Sequence, residues 1–322
     1  MPKRISWKKG MRLTDEVLLA ADNCTAEALS QAFMLGCGGR FGLFPSAIRP
    51  FEMSLGINNG YVDVETLTCL GVTRAGDVID VHYDTKYSND FDTRVRIPAD
   101  SEEKEFILTI NAQPENWQDT VGGFQEPHYS FTFVSTKNQV DAHALPIGRI
   151  VLEDGWHEDN TNFVPPCLYV SSHPKYHELL NQFIGILRSI DDRTRQQIDT
   201  KAHAAIAIYW PVVQQILVTV NTEQELMTPQ QFQSCVQKVV GAFTTACDLD
   251  EILDLEDAET FRNYTRVPYN YRIAYLRIRQ GMGMCYSIGE KIEKFSLLRE
   301  EPRKPEPEPQ KPQRRTWGGP NI

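Results

Sequence analysis

The apolar residues of this chain change their period at Pro165-Pro166. Before that pair they alternate with polar residues, the two-residue repeat of a half-buried strand. After it they recur every three or four residues, as on one face of a helix. A chain patterned this way folds its first half as β structure and its second half as helices, an α+β arrangement. Two successive prolines restrict the backbone and give the first unit a defined end.

Within the first half, residues 61–67 and 128–134 alternate strictly, and 106–110 and 147–152 are shorter β-rich runs. Turn signals separate them: Asn58-Asn59-Gly60, Ala75-Gly76-Asp77, Gln113-Pro114 and Gly122-Gly123. Short strands with frequent turns predict a sandwich-like all-β unit.

In the second half, positions 176, 179, 180, 183, 184, 187 and 190 form one helical face. A second face takes in Ile206, Tyr209, Trp210, Val213, Ile216, Leu217 and Val220, with Pro211 predicting a kink or a helix start. Thr228-Pro229-Gln230-Gln231 opens a third helix with a capping box, whose face is Phe232, Val236, Val239, Val240, Phe243 and Cys247. A fourth follows Pro268 through Ile273, Leu276, Met284, Ile288, Ile292 and Phe295. Four such helices predict a bundle or an oligomeric stalk. From about Arg299 the chain turns to Pro, Glu, Lys, Gln and Arg, the composition of a disordered or polyproline-like tail. The expected division is therefore 1–166, 167–298 and 299–322, within a length of 322 residues that suits two folded domains.

The formal net charge is -10. Such a chain repels nucleic-acid phosphates and anionic membrane surfaces, so neither is an expected partner. No signal-peptide stretch follows the N-terminal lysines. The longest apolar run, 204–213, is interrupted by Pro211 and falls short of the roughly 20 residues of a span. Seven cysteines lie scattered at 24, 37, 69, 167, 235, 247 and 285 with no CxxC pair, which points to reduced thiols in a cytoplasm.

The candidates for chemistry are weak ones. His173 and His177 have the spacing of a shared metal, but neither the glutamate of HExxH nor a third ligand accompanies them. Solvated residues at a helix start are expected there. Residues 36–42 are glycine-rich without the lysine of a phosphate loop, so a turn before a strand is expected. Asp248, Asp250, Glu251, Asp254, Glu256, Asp257 and Glu259 lack the spacing and glycine of a calcium loop and read as a solvated acidic connection between helices, with a partner-contact surface as the second reading. Five arginines among four tyrosines over 262–279 resemble a nucleic-acid patch, but the acidic segment before them is a nearer partner. No catalytic, cofactor-binding or metal-binding residue is assigned, and no cofactor is expected.

Three blocks, in order, resemble the TssK family of type VI secretion baseplate subunits. The first is Trp7-Lys8-Lys9-Gly10-Met11-Arg12-Leu13. The second is Leu145-Pro146-Ile147-Gly148-Arg149-Ile150, with Phe163-Val164-Pro165-Pro166-Cys167-Leu168 just beyond. The third is Pro268-Tyr269-Asn270-Tyr271, and Arg40-Phe41-Gly42-Leu43 fits more loosely. The resemblance implies a homotrimer with a β shoulder and a helical neck, packed through parts of Phe183, Leu187 and Val213. It implies a shoulder side that meets the TssF–TssG wedge and a C-terminal head that meets the envelope complex. This chain becomes proline-rich where a head would begin. Trp317, flanked by Arg314 and Arg315, then reads either as an anchor for the envelope complex or as an incidental residue of a solubilising tail. The expected function is a non-enzymatic baseplate adaptor. A phage-type tail or baseplate protein on the same architecture, or an enzyme with an unrecognised site, stays open.

Overall fold

A computed structural model describes residues 8–84, 93–98, 103–119, 125–198, 204–250 and 255–297. Trp7, the Gly122-Gly123 turn, the tail and Trp317 lie outside the described residues.

The chain opens with a helix, α1 (Asp15–Gly36), where the alternation rule predicted only strands. Thr14 caps it, its Oγ1 accepting from Val17 N at 3.4 Å. Among the described residues nine strands follow: β1 (Gly42–Leu43), β2 (Glu52–Asn58), β3 (Tyr61–Val72), β4 (Val78–Asp84), β5 (Arg94–Arg96), β6 (Glu105–Asp119), β7 (Gln125–Ser135), β8 (Ala144–Leu152) and β9 (Trp156–Glu158). In the first sheet β3 is the hub, pairing antiparallel with β1, β2, β4 and β5. The second sheet runs β7-β6-β8-β9. Along β4 every second residue is buried: Ile79, Val81 and Tyr83. They meet Leu108, Ile110, Phe131 and Leu145 of the second sheet in one core, which makes the β unit sandwich-like.

The turns follow backbone chemistry. Asn59 and Gly60, at φ 51° and 78°, join β2 to β3 in the left-handed conformations that a tight hairpin requires. Gln113-Pro114 is not a turn. β6 continues through it, and the register against β7 shifts between Gln113 and Trp117. A proline, having no N–H to give the ladder, is accommodated in that irregularity. Pro146 is handled the same way: it pairs with Thr109 beside a shift in the β6–β8 register.

A 3-10 turn, Val170–Ser172, leads into α2 (Pro174–Ile198), α3 (Ala204–Thr222), α4 (Pro229–Asp250), α5 (Leu255–Thr265) and α6 (Ala274–Leu297). All seven apolar positions expected on the α2 face are buried. So are those of α3 except Trp210, which is half-buried, and all those of α4. The capping box forms as expected: Thr228 Oγ1 accepts from Gln231 N at 3.1 Å, and Gln231 Oε1 accepts from Thr228 N at 2.8 Å. Pro211 does not start α3, which is already helical from Ala204.

Three expectations need correction. The acidic connection is largely helical. Its first residues close α4 and its last ones open α5, which packs Ala258, Phe261 and Tyr264 inward. The α6 face is rotated from the one expected. Ala274, Ile278, Met282 and Cys285 are buried with Ile288 and Ile292, while Leu276 and Met284 are half-buried. The side chain of Phe295 lies outside the described residues. Phe183 and Leu187 are fully buried within their own protomer, and Val213 nearly so, so they hold the bundle together and cannot meet another copy.

One core runs from the sandwich into the helices through Leu43, Val164, Cys167, Val170 and Tyr176. No helix among the described residues is long and apolar enough to cross a membrane.

Candidate functional site at the sheet–helix junction

The Pro-Pro segment is held by β1. Leu43 N donates to Pro166 O at 2.8 Å, and Leu168 N donates to Leu43 O at 3.0 Å. Leu43 and Cys167 form a parallel bridge. The pairing uses a proline carbonyl and the N–H beyond both prolines, so the two missing donors cost no hydrogen bond. Gly42 makes the approach possible. Its φ is 129°, and a Cβ there would stand 2.7 Å from Cys167 N and closer still to the Pro166 carbonyl. Phe163, Val164, Pro165, Pro166, Cys167 and Leu168 are all buried.

Polar groups lock the same segment from two sides. Arg149 of β8 forms a salt bridge with Asp159, their side chains 12% and 8% exposed. Asp159 Oδ1 also accepts from Asn162 N at 3.0 Å, and the guanidinium lies 5.8 Å from the Phe163 ring centre. On the helical side Val170 N donates to Met227 O at 2.7 Å. His173 is buried against the Phe51 ring at 5.7 Å, and its Nδ1 accepts from Lys175 N at 3.2 Å. Burial, with Lys175 close by, lowers the His173 pKa to about 4. The expectation of two solvated histidines holds for His177, which is exposed, and fails for His173.

Across this segment the connection before α6 closes in. Tyr271 meets Phe41 edge-on at 5.2 Å, and the Arg74 guanidinium sits over both rings, at 4.5 Å from Phe41 and 5.2 Å from Tyr271. Arg40 lies over Tyr169 at 5.6 Å. Tyr269, its phenol pushed up by burial, lines a small cleft of about 170 Å³ with Arg40, Phe41, Pro166 and Pro229. Arg272 donates to the carbonyls of Thr136 and Asn138, and Arg279 donates to Thr161 O at 3.0 Å. Arg262 pairs with Asp248 at 2.6 Å. These arginines of the suspected nucleic-acid patch are thus used inside the protein.

The second and third sequence blocks and Arg40-Phe41-Gly42-Leu43 therefore meet in one place. Leu145 is buried beside Gly71, where a Cβ would come within 2.7 Å of its Cδ2. Pro268 is exposed next to Tyr269. The first block does not join them: Gly10, at φ 84°, shapes an exposed turn, and Leu13 is 67% exposed. Arg74, Asp159 and Phe51 had no signal in the sequence, because each acts through partners distant along the chain.

Such a place holds elements together. Burial pushes the Cys69 thiol up to about 12 and the Cys167 thiol well above its ordinary value, which keeps both protonated. Among the described residues no three His, Cys, Asp or Glu side chains gather to hold a metal ion.

No protein-family model matches the sequence, and no curated protein sequence matches it. Solved structures do. A crystal structure of TssK matches with a TM-score of 0.62 over 89% of this chain and 69% of that one, at 13% identity. The fold is that of TssK. A chain of the TssK-TssF-TssG baseplate subcomplex of a type VI secretion system matches with a TM-score of 0.56, at 13% identity, over 90% of this chain and all of that one. TssK from the EAEC system, bound to a nanobody, gives 0.53 at 12% identity, over 83% and 97%. The likeness thus extends over 83–90% of this chain.

Proposed function

We propose that this chain is a structural subunit of a type VI secretion baseplate. In this reading it is a homotrimer that catalyses no reaction and ties TssF- and TssG-type wedge subunits to the envelope-spanning complex. The observation that supports it is a TssK fold matched over 83–90% of the chain in three solved structures. The joined core adds physical support, since a subunit that transmits force between two assemblies needs its sheets and helices to move as one body. The shoulder, 1–166, would face the wedge, and the neck, 167–298, would trimerise. Assembly would take place in the cytoplasm, at the inner face of the membrane. Segment 299–322 would reach the envelope complex, with Trp317 as its anchor.

The test is co-expression with TssF- and TssG-type proteins from the same genome, followed by affinity capture and size-exclusion chromatography. Co-elution of all three at a fixed ratio is expected. A chain that elutes alone beside an intact TssF–TssG complex would end this reading. Deleting 300–322, beside Trp317→Ala, separates the tail's part: recruitment to the envelope should fall while wedge binding persists.

A further inference from the structure

Where α2 and α6 meet on the outside of the bundle they leave an apolar groove of about 340 Å³. That is the lower end of the range, about 300–1,000 Å³, of cavities that take a small organic group. Its floor is formed by Ile190 and Cys285, both buried. Small residues keep it open: Gly185 and Ser189, one turn apart on α2, and Gly289 on α6. A Cβ on Gly185 would meet nothing within 4 Å. Beneath the groove the helices close up, since a Cβ on Gly289 would stand 3.7 Å from Ile190 Cγ1 and Arg193 Nη1 donates to Gly289 O at 3.0 Å. Tyr286 stands at the edge, 62% exposed. Glu290, also at the edge, is exposed and forms no ion pair among the described residues.

The chain itself supplies an occupant. α6 ends at Leu297, so Glu290 and Tyr286 lie about 10–17 Å back along the helix from the root of the tail. Trp317 follows 20 residues beyond Leu297 and is the only aromatic residue after Phe295. A flexible segment of that length spans about 25 Å on average, which covers the distance to the groove. A tether of this kind sets a local concentration near the millimolar range, so a contact too weak to join separate molecules is populated within one chain. The chemistry matches as well. An indole suits an apolar groove walled by a tyrosine ring, and Arg314 and Arg315, just before Trp317, suit the unpaired carboxylate of Glu290.

We infer that Trp317 rests in the α2–α6 groove of its own protomer, with the preceding arginines beside Glu290. The tail is then folded back on the bundle, and Trp317 becomes available to another protein only by leaving the groove. A partner that takes up Trp317 has to compete with this seat, which lowers its apparent affinity by the fraction of chains already folded back. Only this last consequence rests on the anchor of the proposed function. The seat itself is a property of the purified chain.

Fluorescence of the full chain tests it. The wild-type spectrum minus that of Trp317→Phe isolates one indole among five. Its emission should be blue-shifted and shielded from iodide. Gly185→Leu fills the groove at an exposed helical position where a Cβ has no neighbour, so it should leave the protomer intact. Glu290→Arg, at a second exposed position, sets like charge against the tail arginines. Each variant should shift the Trp317 emission to the red and raise its iodide quenching several-fold, with the thermal midpoint unchanged. The emission of a solvated indole in the wild type would overturn the inference and leave a solubilising tail. Shielded emission that neither variant changes would seat Trp317 elsewhere, and shielding lost on dilution would seat it in another copy; both count against the inference. None of these readings involves TssF or TssG, so failure here leaves the baseplate reading standing.

Discussion

Gly42 shows how one missing side chain sets the junction. Its backbone lies at a φ of 129°, and the carbonyl of Pro166 occupies the space a Cβ would need. Gly42→Ala should therefore lower unfolding free energy by at least about 2 kcal/mol, through strain and displacement of the Pro-Pro segment. Gly185→Ala is the contrast: it is helical, with nothing near its Cβ, and should be neutral or stabilising by about 0.5–1 kcal/mol. Denaturant midpoints compare the two, and equal losses would refute the steric account. His173 makes a second test, of pH. Its pKa falls from an ordinary 6.5 to about 4 on folding, mainly by burial. Between those values the unfolded chain binds the proton and the folded chain does not. Stability from this residue is thus complete above pH 6.5 and lost as pH falls towards 4, by at most about 3 kcal/mol. His173→Asn, which keeps an acceptor for Lys175 N, should flatten that part of the stability profile. A profile as steep as the wild type's would assign the effect to other groups.

At the scale of elements, period told most where a face is buried. β6 and β8, buried in consecutive residues, showed as short β-rich runs, while β3 and β7 and the faces of α2, α3 and α4 were legible because each has one side against a core. α1 was not, since its apolar residues meet no core in the protomer and its sequence shows no period that a core imposes. α5 was hidden by its acids, although Ala258, Phe261 and Tyr264 recur at helical spacing. The rotated face of α6 has a physical cause too. Gly281 lets the helix approach so closely that a Cβ would be 2.5 Å from Val236 Cγ1. Small residues, Ala274, Gly281 and Cys285, therefore share its buried side with Ile278, Met282, Ile288 and Ile292. At the junction the sequence marked a block of residues and not what they touch. Phe163, Pro165, Pro166, Cys167 and Leu168 stood out as a block, but their partners Leu43, Arg149 and Asp159 come from other strands and loops. Replacing Pro165 and Pro166 with Gly should cost about 2–4 kcal/mol in chemical denaturation. Both rings are buried, and the unfolded chain would gain freedom. An unchanged midpoint would show that β1 alone fixes the segment.

At the scale of the whole molecule, the change of period at Pro165-Pro166 divides the sequence into two halves, and the packing joins them. Leu43, Val164 and Cys167 from the β side share one core with Val170, Tyr176 and Leu180 from the helical side. Arg272, just before α6, and Arg279 within it add bonds to loop carbonyls of the β half. Cutting the chain at the junction would expose this shared apolar surface on both pieces, at roughly 25 cal/mol per Å². A boundary of this kind opposes separate melting, because neither half keeps its core when the other unfolds. Calorimetry of the full chain should thus show one transition for the described fold, with calorimetric and van't Hoff enthalpies in agreement per cooperative unit. The measurement belongs at several protein concentrations, since an assembly shifts its midpoint with concentration and a monomer does not. Residues 1–166 and 167–322 expressed apart should each be poorly soluble, and should gain structure when mixed. Two resolved transitions, or two soluble halves with native circular dichroism, would mean that the shared core contributes little to stability. The junction would then act as a hinge between independent bodies, and the rigid link that the proposed function relies on would lose its basis.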